Sequence, residues 1–220
     1  MSMLKENLIR VPLGKTGALE GDLQIPSQAK GVVVFAHGSG SSRHSPRNRF
    51  VAEVLQKGGV GTLLIDLLTK EEERIDDVSG ALRFDIDLLT ERLVQVAHWL
   101  KVTKEGKALL LGFFGASTGA AAALCAAAEI KEGIAAVVSR GGRPDLAKNA
   151  LSDVQAPTLL IVGGYDGPVI KMNEDAYAKL QCEKKMVIVP KATHLFEEPG
   201  TLEEVARLAL DWFYCHFEGK

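Results

Sequence analysis

Several short runs in this chain are apolar along their whole length instead of at alternate positions: residues 31–36 (GVVVFA), 60–65 (VGTLLI), 108–114, 134–139 and 158–163. Such runs suit strands covered on both faces, which are the strands of parallel sheets. Stretches of helix length separate them. One runs from about Pro46 to Lys57, with proline in the first turn, where its missing N–H costs nothing. Another carries Leu82, Ile86, Leu89, Leu93, Val96 and Leu100 at steps of four and three, an amphipathic helix. Residues 117–128, 173–181 and 202–217 read as further helices, and 186–189 as a strand. The repeated strand–helix–strand order predicts an α/β fold, a mostly parallel sheet with helices on both faces. Residues 8–11 and 18–25 flank the turn Gly14-Lys15-Thr16-Gly17 and predict an opening antiparallel hairpin. Residues 66–77 are acidic, lack an apolar period and read as a loop. No linker, low-complexity tract or internal repeat divides the chain, so residues 1–220 are expected to form one domain.

Charge narrows the partners. Twenty-six Lys+Arg against 28 Asp+Glu leave a net charge of −2, without the basic excess of a general nucleic-acid binder. Three cysteines (Cys125, Cys182 and Cys215) show no metal-ligand spacing, and reduced thiols are expected rather than a disulfide framework or a zinc site. Residues 1–6 lack the apolar stretch of a secretory signal, so the expected location is cytoplasmic. Residues 108–128 carry no charge, are long enough to span a bilayer and contain a small-xxx-small pair, Gly115 and Gly119. Glycines and hydroxyls interrupt that run, however, and its second half is mostly alanine; strand, glycine turn and alanine helix describe it better. No membrane partner is expected, and the sequence leaves the oligomeric state open.

In open parallel sheets, functional groups gather on loops after the carboxyl ends of strands. Four such loops stand out. Gly115-Ala116-Ser117-Thr118-Gly119 is a G-x-S-x-G between a strand and a helix. There it reads as a sharp turn that presents a serine at a helix N-terminus. The bland reading of Ser117 is a helix N-cap. His37-Gly38-Ser39-Gly40 follows the strand at 31–36, and the Ser39 N–H is the expected second donor to an oxyanion. A dinucleotide fingerprint starting at Gly38 fails at its third glycine, where Arg43 stands. Asp166 follows the strand at 158–163, and His194 follows that at 186–189. Together they give the order Ser…Asp…His on separate post-strand loops. A histidine there could take the serine proton, with the aspartate fixing its tautomer. His37 reads as a residue that organises its loop rather than as the base.

These motifs resemble the α/β-hydrolase superfamily and, within it, the dienelactone-hydrolase-like group. The resemblance rests on HGSG after the third strand, GASTG at the elbow, Asp166 and His194, and on a length that leaves no cap domain between residues 133 and 156. It implies catalysis by Ser117 as nucleophile, His194 as base then acid and Asp166 as its orienter. The Ser39 and Thr118 N–H groups would form the oxyanion hole, and no metal or organic cofactor is implied. One departure matters: dienelactone hydrolases proper carry cysteine where Ser117 stands. That shifts the expected substrate from a dienelactone towards a small ester, thioester or lactone cleaved through an acyl-serine. Cys125, eight residues further on, cannot replace the elbow residue. The competing readings are a non-catalytic binding module of the same fold and a nucleotide-binding module using the Gly38 loop.

Other residues carry weaker expectations. Arg43, Arg47 and Arg49 extend the Gly38 loop, and Arg140 and Arg143 follow the strand at 134–139. Arg43, Arg47 and Arg143 are candidates for binding an anionic substrate; the alternative is solvated arginines paired with Glu71–Glu73. Asp66 ends a strand and is expected to be a turn residue rather than an alternative acid. The charged run 70–74 reads as a solvated loop that, following a strand end, could border the site as a flexible rim. Trp99 and Trp212 are expected in the core, and His44, His98 and His216 show no metal spacing.

Overall fold

The computed structural model describes residues 7–218; residues 1–6, read above for a signal, lie outside them. Eight strands form one sheet: β1 (Leu8–Pro12), β2 (Ala18–Gln24), β3 (Gly31–Ala36), β4 (Gly61–Ile65), β5 (Leu110–Ala116), β6 (Ala136–Arg140), β7 (Thr158–Gly163) and β8 (Lys184–Val189). Their order is β1-β2-β4-β3-β5-β6-β7-β8. β1 and β2 pair antiparallel as the expected hairpin, β2 pairs antiparallel with β4, and all other pairings are parallel.

The unbroken apolar runs have a direct structural cause. Along β3, Val32, Val34 and Ala36 enter one hydrophobic cluster, while Val33 and Phe35 enter a second on the opposite face. Helices α3 (Ile86–Val102), α4 (Thr118–Ile130) and α5 (Gly167–Lys179) contribute to the first cluster. Helices α1 (Pro46–Lys57) and α6 (Thr201–Phe217) contribute to the second. Alternation is absent because neither face meets water. The uncharged run 108–128 is β5 followed by α4, whose alanines are buried. Among the described residues no helix is long and apolar enough to cross a membrane.

Three expectations need correction. Residues 70–79 are not a loop but helix α2 (Lys70–Ser79). It lacks an apolar stripe, yet Thr69 and Glu72 form a reciprocal capping box, and Glu72 also accepts from Arg92 Nη2 of α3 at 2.6 Å. The helix is held by its cap and this anchor, which a search for apolar period cannot see. Second, α3 starts at Ile86 rather than Leu82. Residues Leu82–Phe84 form a separate 3-10 turn, and Asp85 caps α3 by accepting from Leu88 N at 3.0 Å. Third, α5 starts at Gly167, six residues before the expected 173, because Pro168 serves its first turn.

The sheet order also places the site. After β3 the chain crosses to β4 on one side, then to β5 on the other. The loops leaving β3 and β5 therefore part at a topological switch point and open a crevice between them.

Candidate active site

Ser117 is the single residue between β5 and α4, held at φ 51° and ψ −120°. A non-glycine residue at positive φ costs about 1–3 kcal/mol and persists only when its surroundings fix it. Here the fixing groups come from the last residue of β6 and the loop after it: Ser117 N–H donates to the Arg140 carbonyl at 3.2 Å, and the Ser117 carbonyl accepts from Arg143 N at 3.0 Å. Lys131 and Lys148 share this conformation in ordinary turns, so strain alone does not single out Ser117; its place between strand and helix does. The flanking glycines are required by close approach. A Cβ on Gly115 would lie 2.4 Å from Ala120 Cα, and one on Gly119 would lie 2.3 Å from the Ala36 carbonyl oxygen.

The loop after β3 therefore rides directly over the start of α4. Ser39 N–H donates to Thr118 Oγ1 at 2.9 Å. His37 Nδ1 lies 3.0 Å from the Gly38 carbonyl, and Leu67 N–H donates to His37 Nε2 at 3.2 Å. Together these two contacts specify the neutral tautomer with hydrogen on Nδ1. Burial lowers the pKa of His37 in the same direction, with the Gly38 carbonyl and Asp66 opposing. Its one lone pair is taken by a peptide N–H, so His37 is bound as a structural element of this loop.

Asp166 occupies the N-cap position of α5, but its side chain makes no cap hydrogen bond. Its Oδ2 instead accepts from His194 Nδ1 at 2.6 Å. The His194 loop is braced by Thr193, whose N and Oγ1 donate to Glu198 at 3.0 and 2.7 Å. The imidazole lies against Gly141: a Cβ built there would sit 3.6 Å from His194 Cε1. Gly141 directly follows Arg140, whose carbonyl holds the Ser117 N–H. Asp166 and His194 are thus in contact, and His194 packs on the loop to which Ser117 is tied.

The remaining candidates divide. Arg43 is engaged by Asp66, through both backbone and guanidinium, and by Glu20. Asp66 is buried by that pairing, as a residue of the loop's support. Arg143 is bonded twice to Asp145, at 2.9 and 2.8 Å. The carboxylates that engage Arg43, Arg47 and Arg143 are thus Asp66, Glu20, Glu197 and Asp145, whereas Glu71 takes Arg74. Arg47 lines a cavity of about 580 Å³ together with Ser39, Ser45, Glu73 and Arg83. Of the charged run at 70–74 only Glu73, on the capped helix α2, lines this cavity, and Ser117, Asp166 and His194 are not among its lining residues. Burial raises the pKa of Glu73 there, reinforced by the carboxylates of Asp66, Asp77 and Glu20 against Arg43. Sequence reading named Glu73 only within the charged run and did not single out Arg83, which is placed here by its bond to Asp76 of α2; the Thr69-x-x-Glu72 spacing was the available signal for that helix. Cys125 lies along α4 with Sγ 4.0 Å from the Ala147 carbonyl, and burial raises its pKa. Among the described residues no group of three or more His, Cys, Asp or Glu could hold a metal ion.

A mostly parallel eight-stranded sheet with an antiparallel opening, a strand–serine–helix elbow at its centre, and acid and histidine on later loops define the α/β-hydrolase fold. Within that class the chain belongs to the dienelactone hydrolase family, which residues 19–213 match. It is 60% identical to a dienelactone hydrolase from Anabaena variabilis, whose crystal structure superposes with a TM-score of 0.94 over 96% of this chain and 98% of that one. Est1E from Butyrivibrio proteoclasticus, 15% identical, shares the fold with a TM-score of 0.80 over 96% and 99% of the two chains. A Mycobacterium tuberculosis H37Rv protein, provisionally named a phosphoribosyl transferase, is 54% identical over 98% of this chain. That match covers 48% of the mycobacterial protein, so the chain spans about half the length of the curated relatives it matches.

Proposed function

We propose that the chain hydrolyses a carboxylic ester, thioester or lactone of a small molecule through an acyl-Ser117 intermediate. The observation that carries this reading is the 2.6 Å bond from His194 Nδ1 to Asp166, on a loop that packs against the one holding the strained Ser117. With its Nδ1 hydrogen on the carboxylate, His194 keeps the Nε2 lone pair for the Ser117 hydroxyl proton. Ser117 Oγ then attacks the substrate carbonyl carbon, and the carbonyl oxygen takes the negative charge. Thr118 N–H, in the first turn of α4, has no intrahelical acceptor and is one donor to that oxygen. Ser39 N–H is the other, transferring from Thr118 Oγ1 as charge develops. The tetrahedral species collapses, the leaving oxygen or sulfur takes the proton from His194, and the acyl group remains on Ser117. Water, deprotonated by His194, releases the acid and restores the serine.

Three cysteines without a disulfide fit a reducing compartment, and we place the protein in the cytoplasm. The test is turnover of a chromogenic ester panel of graded acyl length by the wild type and Ser117→Ala. Hydrolysis of at least one short ester that falls by several orders of magnitude in the variant supports the reading. Equal rates for the two proteins overturn it, and no turnover across ester, thioester and lactone substrates favours the non-catalytic binding module.

A further inference from the structure

Arg140, the last residue of β6, and the three residues after it are tied by their backbones to several parts of the candidate site. The Arg140 carbonyl accepts from Ser117 N–H at 3.2 Å, and Arg143 N–H donates to the Ser117 carbonyl at 3.0 Å. Between them, Gly141 N–H donates to the Ile161 carbonyl of β7 at 2.8 Å. His194 lies against Gly141, where an added Cβ would sit 3.2 Å from the His194 carbonyl oxygen and 3.6 Å from its Cε1. Gly142 is pressed onto the first turn of α4, where an added Cβ would sit 2.7 Å from Ala120 Cβ. The segment therefore touches both the proposed nucleophile and the proposed base, and one further attachment holds it from behind.

That attachment is Asn173 of α5, which is 0% exposed. Its Nδ2 donates to the Val169 carbonyl, one turn back in the same helix, at 2.8 Å. It also donates to the Gly142 carbonyl, 31 residues away in sequence, at 3.0 Å. Both neighbours are carbonyl oxygens, so only the NH₂ end of the amide can face them. The Oδ1 is then buried with no hydrogen-bond partner among the described residues. An unmet buried acceptor costs free energy that a leucine of similar volume would not. The bond to Val169 does not account for the amide, because the helix itself offers that carbonyl a backbone donor. What Asn173 alone supplies is the bond to Gly142. Helix α5 in turn begins at Gly167, directly after Asp166. The bond thus joins the segment that holds Ser117 and supports His194 to the helix that starts at the proposed acid.

We propose that Asn173 is a positioning residue: through Gly142 it sets segment 140–143 against α5, and so sets Ser117 relative to His194 and Asp166. Its effect on catalysis rests on the hydrolase reading; the tie itself does not.

The test uses N173L, which keeps the side-chain volume and removes both donated bonds. The kcat for a short chromogenic ester and the rate constant for fluorophosphonate labelling of Ser117 should both fall by about ten- to a hundredfold. KM should change little, because no group that meets the substrate is altered. The control is A176G, which weakens α5 with a glycine in its interior and leaves the Asn173 amide in place. Both of its rates should stay near those of the wild type.

A second arm needs no activity and follows amide hydrogen exchange by NMR. Relative to Val34 of β3, the Ser117 and Arg143 amides of N173L should exchange about fivefold faster or more. In A176G these ratios should match the wild type. Faster exchange together with slower turnover and labelling supports the proposal. Turnover and labelling in N173L equal to the wild type, or an equal loss in A176G, overturn the positioning role. Unchanged exchange at Ser117 and Arg143 in N173L overturns the tie itself. If the wild type neither hydrolyses esters nor is labelled, the hydrolase reading fails, and exchange alone decides on the tie. N173S, whose short hydroxyl reaches the Val169 carbonyl but not Gly142, takes the same tests should N173L fail to fold.

Discussion

The Ser39 N–H and the Thr118 hydroxyl are joined by a 2.9 Å hydrogen bond across 79 residues of sequence. It locks the loop after β3 onto the first residue of α4, so both proposed oxyanion donors belong to one rigid unit. On the proposed mechanism its acceptor releases Ser39 N–H when a substrate oxygen becomes charged, so the bond belongs to the resting state and not to the transition state.

Thr118→Val removes this acceptor while keeping side-chain shape. The resting protein should lose about 1–3 kcal/mol, the cost of leaving the Ser39 donor unmatched. The kcat should stay within about tenfold of wild type, well short of the 10²–10³ typical of losing an oxyanion donor. Urea unfolding and single-turnover kinetics check the two halves. A fall beyond a hundredfold with the fold intact would mean that the Thr118 hydroxyl itself meets the oxyanion.

Asp166→Asn should separate catalysis from folding. The side chain caps nothing in α5 and its recorded partner is His194 at 2.6 Å. An amide can turn its NH₂ towards Nδ1 and select the wrong imidazole tautomer, so kcat should fall by about 10³–10⁴. The thermal midpoint should move little. A loss below tenfold would remove Asp166 from the mechanism.

His37 predicts a pH dependence of stability. Its pKa in the folded chain lies below 6.5, chiefly through burial, so the unfolded chain binds the proton first. Stability from this residue is therefore complete above about pH 7 and declines as pH falls through 6.5 towards the folded value. Urea midpoints between pH 7 and 5 should fall less steeply in His37→Gln than in the wild type. At pH 7.5 the variant should already be about 1–2 kcal/mol weaker, through its lost loop bonds. Parallel slopes would contradict this, and complete loss of activity in a folded variant would make His37 rather than His194 the base.

The parts of the fold visible in sequence are those held by burial. β3 reads plainly because Val32, Val33, Val34 and Phe35 must all be apolar to fill two clusters. Leu89, Leu93, Val96 and Leu100 mark α3 because one of its faces meets the core. Helix α2 escaped because polar bonds hold it: Thr69 with Glu72, Glu72 with Arg92, and Arg83 with Asp76 at 2.5 Å. Hydrophobic period carries no trace of those bonds. The site divides the same way. Ser117 directly follows β5, and Asp166 and His194 stand on the loops after β7 and β8; their roles are those proposed above, and their placement on post-strand loops was legible. The arginines were not, since which of Arg43, Arg47, Arg140 and Arg143 finds a carboxylate depends on contacts between distant segments. Arg47 meets Glu197, 150 residues away, and Arg140 lies against Asn48, 92 residues away.

The central claim is that Ser117 is the nucleophile, and covalent labelling tests it most directly. A fluorophosphonate carries a phosphorus centre that an activated serine attacks with loss of fluoride, and peptide mass spectrometry locates the adduct. The account predicts a single phosphonyl group on the peptide containing Ser117 in the native protein. It also predicts none in Ser117→Ala, none after unfolding, and strongly slowed labelling in His194→Ala. An adduct retained in Ser117→Ala, or found on another serine such as Ser39 with Ser117 unmodified, would contradict it.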